Sequence, residues 1–153
     1  MAIHERGASL IRRRSRVETA SQRTPQSLSF GAFDIPIVDA KVAEALNVVA
    51  APDIQLLPLK VDGADAPYFV LNITTVARCV DESSSEFTTF DAEDPFGRGG
   101  KYRMVTTLAI DKTLVAGCQI LRIHDWLTPV IASEQVCDLL GSFGIPGLLF
   151  QEV

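Results

Sequence analysis

The stretch "IQLLPLKVDGADAPYFVLNITTVARCV", residues 54–80, decides the fold class. It is rich in β-branched and aromatic residues, and its apolar positions alternate or run together instead of recurring at helical spacing. Asp62-Gly63 is a hairpin signal between two such runs. Pro58 cannot donate to a sheet ladder, so it assigns the first run to an edge or a bulge. "YFVLNITTVARCV" then reads as one or two central strands.

The pattern continues on both sides. "SEFTTF", "YRMVTTLAI" and "CQILRI" predict further strands. "GLLFQEV" predicts a closing strand or extended tail. Upstream, Val42, Ala45, Leu46 and Val49 recur at helical spacing, which predicts a helix over about 39–50 with Asp39 as its cap. Downstream, Ser133 caps a second helix to Phe143, with Val136, Leu139, Leu140 and Phe143 as its apolar stripe. The stretch around Trp126, between Asp125 and Leu127 and just before Pro129, reads as loop-like. The middle lacks the strand–helix rhythm of a parallel sheet. The expected fold is α+β: a mostly antiparallel sheet, about two helices packed on one face, and a disordered or extended basic N-terminus.

Length sets the domain count. A chain of 153 residues forms one core. Residues 1–28 read as a flexible Arg-rich leader and 29–153 as a single α+β domain. Arg6, Arg12, Arg13, Arg14, Arg16 and Arg23 outweigh Glu5 and Glu18, so residues 1–23 carry +4. The whole chain is −5, which leaves −9 on residues 24–153. That excess argues against nucleic-acid binding by the folded domain and for a basic partner. No apolar run reaches the ~20 residues of a membrane span, and the N-terminus lacks the apolar core of a secretory signal. Cys79, Cys118 and Cys137 show no CxxC pairing, which fits reduced thiols in a cytoplasmic setting.

The chemistry centres on "CVDESSSEFTTFDAEDPFGRGGKYR", residues 79–103. A calcium loop fails because no acid follows where the last ligand belongs, and Lys101 and Arg103 oppose the ion. A phosphate loop fails at Pro95 and Tyr102, which stand where the motif needs Gly and Ser or Thr. The glycines read as a flexible turn. The spacing of His and Cys fits no zinc site. No metal and no cofactor is expected. His124 with Asp125 is the one candidate base pair of the domain. Neighbours in a strand point to opposite faces, so adjacency alone makes no dyad. What remains is an acidic face of Asp81, Glu82, Glu86, Asp91, Glu93 and Asp94. Trp126, the sole Trp, reads either as a core contact or as an interface anchor.

The blocks "AFDIPIV" (32–38), "DIQLLPLKVDG" (53–63), "PYFVLNI" (67–73), "CVDESSSE" (79–86), "GKYRMV" (100–105) and "LAIDKTLVAGCQILRI" (108–123) carry a resemblance, as does the ending from "LTPVIASEQV" to "FQEV". Together they resemble the myxobacterial-type immunity proteins of bacterial polymorphic toxin systems. The resemblance covers about residues 30–153 and transfers no catalytic residue. It implies a cytoplasmic, non-enzymatic protein that binds a cognate toxin, often a nuclease, and blocks it. The acids would then occupy the places of phosphates in a basic groove. Two other classes stay open: a small-molecule or peptide-binding regulatory module, and a hydrolase using His124 and Asp125.

Overall fold

The computed structural model describes residues 7–13, 26–31 and 34–153. Among them are two α-helices and eleven strands in mostly antiparallel sheets, an α+β fold. The strands are β1 (Ala8–Arg13), β2 (Leu28–Phe30), β3 (Pro36–Asp39), β4 (Ile54–Leu59), β5 (Tyr68–Ile73), β6 (Val76–Ala77), β7 (Glu86–Thr89), β8 (Tyr102–Thr107), β9 (Ile120–Ile123), β10 (Trp126–Ser133) and β11 (Leu148–Glu152). The helices are α1 (Ala40–Ala50) and α2 (Glu134–Ser142).

The strands divide into three sheets where one was expected. The largest has the order β11-β1-β10-β9-β6, the second β2-β3-β5-β4, and β7 with β8 makes the third. Only β6 with β9 runs parallel among the described pairs. Pro58 does lie on an edge strand, β4.

Two expectations need correction. Residues 8–13, read as part of a flexible leader, form an interior strand paired with β10 on one side and β11 on the other. Leu10 and Ile11 supply the reason, since both are buried. The rest of that leader reading, residues 1–6 and 14–25, lies outside the described residues. The stretch around Trp126, read as loop-like, opens β10, whose Val130, Ile131 and Ala132 are buried. Its register shifts between Trp126 and Val130, and Pro129 falls inside that irregularity, where a missing N–H costs least.

Each helix forms for the reason its sequence predicts. The Asp39 carboxylate accepts from Val42 N at 2.9 Å and caps α1. Val42, Ala43, Leu46 and Ala50 then face inward, while Val48 on the far side is 82% exposed. Ser133 caps α2 by accepting from Val136 N, and Val136, Cys137 and Leu140 are buried. Gly144, at φ 60°, follows the helix end in the left-handed conformation. The helices touch one another but serve different sheets: α1 packs on β3, β5 and β4, and α2 on β10 and β1.

The five-stranded sheet is buried on both faces, so its central strands read as continuous apolar runs. One face contributes Ile11, Ile120, Val130 and Ala132 to the core shared with both helices and the second sheet. The other contributes Leu10, Leu121, Ile123 and Ile131 to a smaller core with Cys79 and Ile110. Burying a side chain such as Leu46 or Ile120 stabilises the fold by about 1.5–3 kcal/mol.

Candidate functional site

The acids singled out in the sequence lie on β7, on the turn before it and on the loop that joins it to β8. The loop between Thr89 and Tyr102 is not a slack turn. Phe90 N donates to Lys101 O and Gly100 N donates back to Phe90 O, which closes its neck. Asp94 organises its interior. Its Oδ2 accepts from Phe96 N, Arg98 N and Arg98 Nε, and its Oδ1 from Arg98 Nη2 at 2.8 Å. The guanidinium of Arg98 also lies over the rings of Phe90, at 4.0 Å, and Phe96, at 4.9 Å. Gly97 and Gly100 take positive φ. At Gly99 a Cβ would stand 2.7 Å from Ala92 O, so the backbones approach as only Gly allows. These glycines serve a fixed loop, in place of the flexible turn expected.

The six acids therefore differ in what they offer. Asp94 is committed to the loop, and Arg98 with its backbone neighbours holds the carboxyl down at about 2. Asp81 accepts from Ser83 N and Oγ, bonds that lower its carboxyl below the usual range. Glu82 accepts from Tyr102 OH at 2.8 Å. Burial, then that carboxylate, pushes the Tyr102 phenol up to about 12. Glu86 accepts from Thr107 Oγ1 at 3.0 Å. Asp91 and Glu93 are exposed and flank an open concavity of about 680 Å³ that reaches Phe90, Arg98 and Arg103. Phe96, not singled out in the sequence, is 79% exposed on the same loop. Arg98, Lys101 and Arg103 stand among these acids, so the loop is mixed in charge. Trp126 is half-buried against the smaller core, against which Tyr102 also packs.

A turn motif occurs twice beneath the hairpin. Asp81 Oδ1 binds Ser83 N and Oγ, and Asp111 Oδ1 binds Thr113 N and Oγ1, each hydroxyl at 2.6 Å. Val80 and Ile110 bridge the two turns, with Asp81 N bonded to Ala109 O and Asp111 N to Cys79 O. The spacing Asp-x-Ser and Asp-x-Thr was the available sequence signal.

The His124–Asp125 pair is closer than the adjacency argument allowed. The chain turns between β9 and β10, and Asp125 adopts φ 66°. That turn brings His124 Nδ1 to 2.8 Å from Asp125 Oδ2, without hydrogen-bond alignment. Arg78 Nη1 donates to the same Oδ2 at 2.9 Å, and Arg78 Nη2 lies 3.3 Å from His124 Nε2. His124, followed by Arg78, keeps the Asp125 carboxyl below the usual range. The ring nitrogen that a general base would use faces a guanidinium.

Asp53 is the polar residue whose importance the sequence did not signal. It is buried, 6% exposed, and accepts from Thr75 Oγ1 at 2.7 Å, Gln119 N at 2.6 Å and Ile120 N at 3.4 Å. Gln119 in turn accepts from Ser133, the α2 cap, at 2.6 Å. One carboxylate thus ties the second sheet to β9 of the first.

Among the described residues no group of His, Cys, Asp and Glu could hold a metal ion. None of their helices is long and apolar enough to cross a membrane. No family model matches the chain, and no curated protein matches it.

Proposed function

We propose that this protein is an immunity protein that binds a cognate bacterial toxin in the cytoplasm and blocks it, by covering a basic active-site surface such as that of a nuclease. The observation that carries the reading is the prearranged loop 90–101. It displays Phe96 and the carboxylates of Asp91 and Glu93 on a backbone already fixed by Asp94 and Arg98. A binding element ordered in advance loses less entropy on association. An exposed, held aromatic suits a hot spot, and flanking charges steer encounter. The sequence resemblance supplies the class of partner.

The test is co-expression with the C-terminal domain of the neighbouring upstream reading frame. The chain should restore growth and co-purify with that domain. Failure of both would overturn the class. Rescue and affinity left unchanged by Phe96→Ala combined with Asp91→Lys and Glu93→Lys would overturn the surface.

A regulatory module that binds a small molecule or peptide is the second reading. The concavity beside Asp91, Glu93, Arg98 and Arg103, about 680 Å³, has the volume of a ligand site. A ligand that raises Tm in the wild type but not in Arg103→Ala would favour it.

A further inference from the structure

An exposed strand edge invites pairing with another chain, and most edges here are blunted. β2 has three residues and β6 two. β4 carries Pro58. The β7–β8 pair has register shifts at both ends. β11 differs. It is five residues long, "LLFQE", with no Pro, Lys or Arg, and it pairs with β1 without a bulge. No described strand pairs with its outer side. Leu149 and Phe150 remain 45% and 37% exposed.

We infer that β11 pairs with β11 of a second copy of this chain, antiparallel about a two-fold axis through Phe150, joining the two five-stranded sheets into one. The strand is self-complementary about that residue. Phe150 meets Phe150 of the partner subunit, an aromatic cross-strand pair, and Leu149 meets Gln151 of the partner subunit. Glu152 falls beside Leu148 of the partner subunit. A five-residue strand pair covers less than the roughly 1,200–2,000 Å² of a stable interface, so the dimer is weak and concentration-dependent.

Sedimentation velocity, run from low micromolar to submillimolar chain, should show a monomer passing to a dimer. Phe150→Lys should weaken the dimer at least about tenfold, while Val48→Lys on exposed α1 leaves it unchanged. Phe150→Cys should give a disulfide-linked dimer on oxidation, because the position faces its own symmetry mate. Amide exchange over 148–152 of the wild type should slow as concentration rises, a readout that stands even where a variant fails to fold. A monomer at every concentration would overturn the inference, as would exchange over 148–152 that ignores concentration. A dimer indifferent to Phe150→Lys would assign the contact to another surface and also overturn it.

Discussion

Gln119 donates its backbone N–H to the Asp53 carboxylate at 2.6 Å, across 66 positions of the chain. Asp53 begins the run into β4 and Gln119 the run into β9, so this bond crosses between sheets that share no strand. Asp53→Ala takes the carboxylate from one part-buried and one buried N–H and should destabilise the fold by about 2–4 kcal/mol. Asp53→Asn should cost only about 1–2 kcal/mol. Its carbonyl can still accept from Gln119, and the Thr75 hydroxyl can reverse to accept from the amide. Urea unfolding of both variants checks this, and equal losses would contradict it.

Asp94 and Arg98 give the tip loop a pH limit. The folded carboxyl lies at about 2, below its ordinary value of 3.8. A depressed carboxyl contributes stability that is fully present above the ordinary value and is lost as pH falls through the folded one. The loop should therefore stay closed at neutral pH and open between about 4 and 2. Carboxyl NMR of Asp94 reports the titration directly. In Arg98→Ala the midpoint should rise toward 3.8.

Tyr102 has the opposite sign. Its phenol is pushed up to about 12 by burial and by the Glu82 carboxylate. Its contribution is present below the ordinary value of 10.0 and is lost as pH rises through about 12. Glu82→Gln should bring the titration down but not to the ordinary value, since burial remains the larger cause. Phenolate absorbance follows it, with Tyr102→Phe identifying which transition belongs to this ring.

The acids of the hairpin should separate into two groups on mutation. Asp91→Lys or Glu93→Lys should slow association with the proposed toxin and flatten its salt dependence without changing Tm. Asp94→Lys should free Arg98 and Phe96 and speed amide exchange throughout 91–100. Equal effects from all three would mean that Asp94 does not organise the loop.

Gly99→Ala tests the same loop from its backbone. The added methyl meets Ala92 O at 2.7 Å, a contact that backbone cannot relieve cheaply. Amide exchange over the loop should quicken while the core amides of β9 and β10 keep their protection.

Local signals were legible, and long-range ones were not. Asp39, Ser133 and Pro58 each announce an element end or edge through a bond they make or cannot make, and all three sit where the sequence puts them. β1 was hidden because its six residues lie among arginines, while its burial depends on β10 and β11 far along the chain. β10 was hidden by Pro129, which only its bulge can accommodate. For the site, residue types identified the acidic hairpin. They could not distinguish Asp94, which folds the loop, from Asp91, which faces outward. That difference comes from a pairing with Arg98 at four positions' spacing, a helix-like interval inside a segment that is not helical. Phe96 was missed because an aromatic in an apolar-rich chain is expected inside.

The position of β1 also sets an order of events during synthesis. Ala8 pairs with Ser133 and Ser9 with Glu152, so the first of the described strands lies between two of the last described ones. A ribosome must deliver residue 152 before β1 has both neighbours. Until then Leu10 and Ile11 wait uncovered, and such long-range closure is slow. The nascent chain therefore depends on β10 and β11, more than a hundred residues downstream, to complete the sheet around β1. A premature stop near residue 147 would remove β11 and leave one flank of β1 bare.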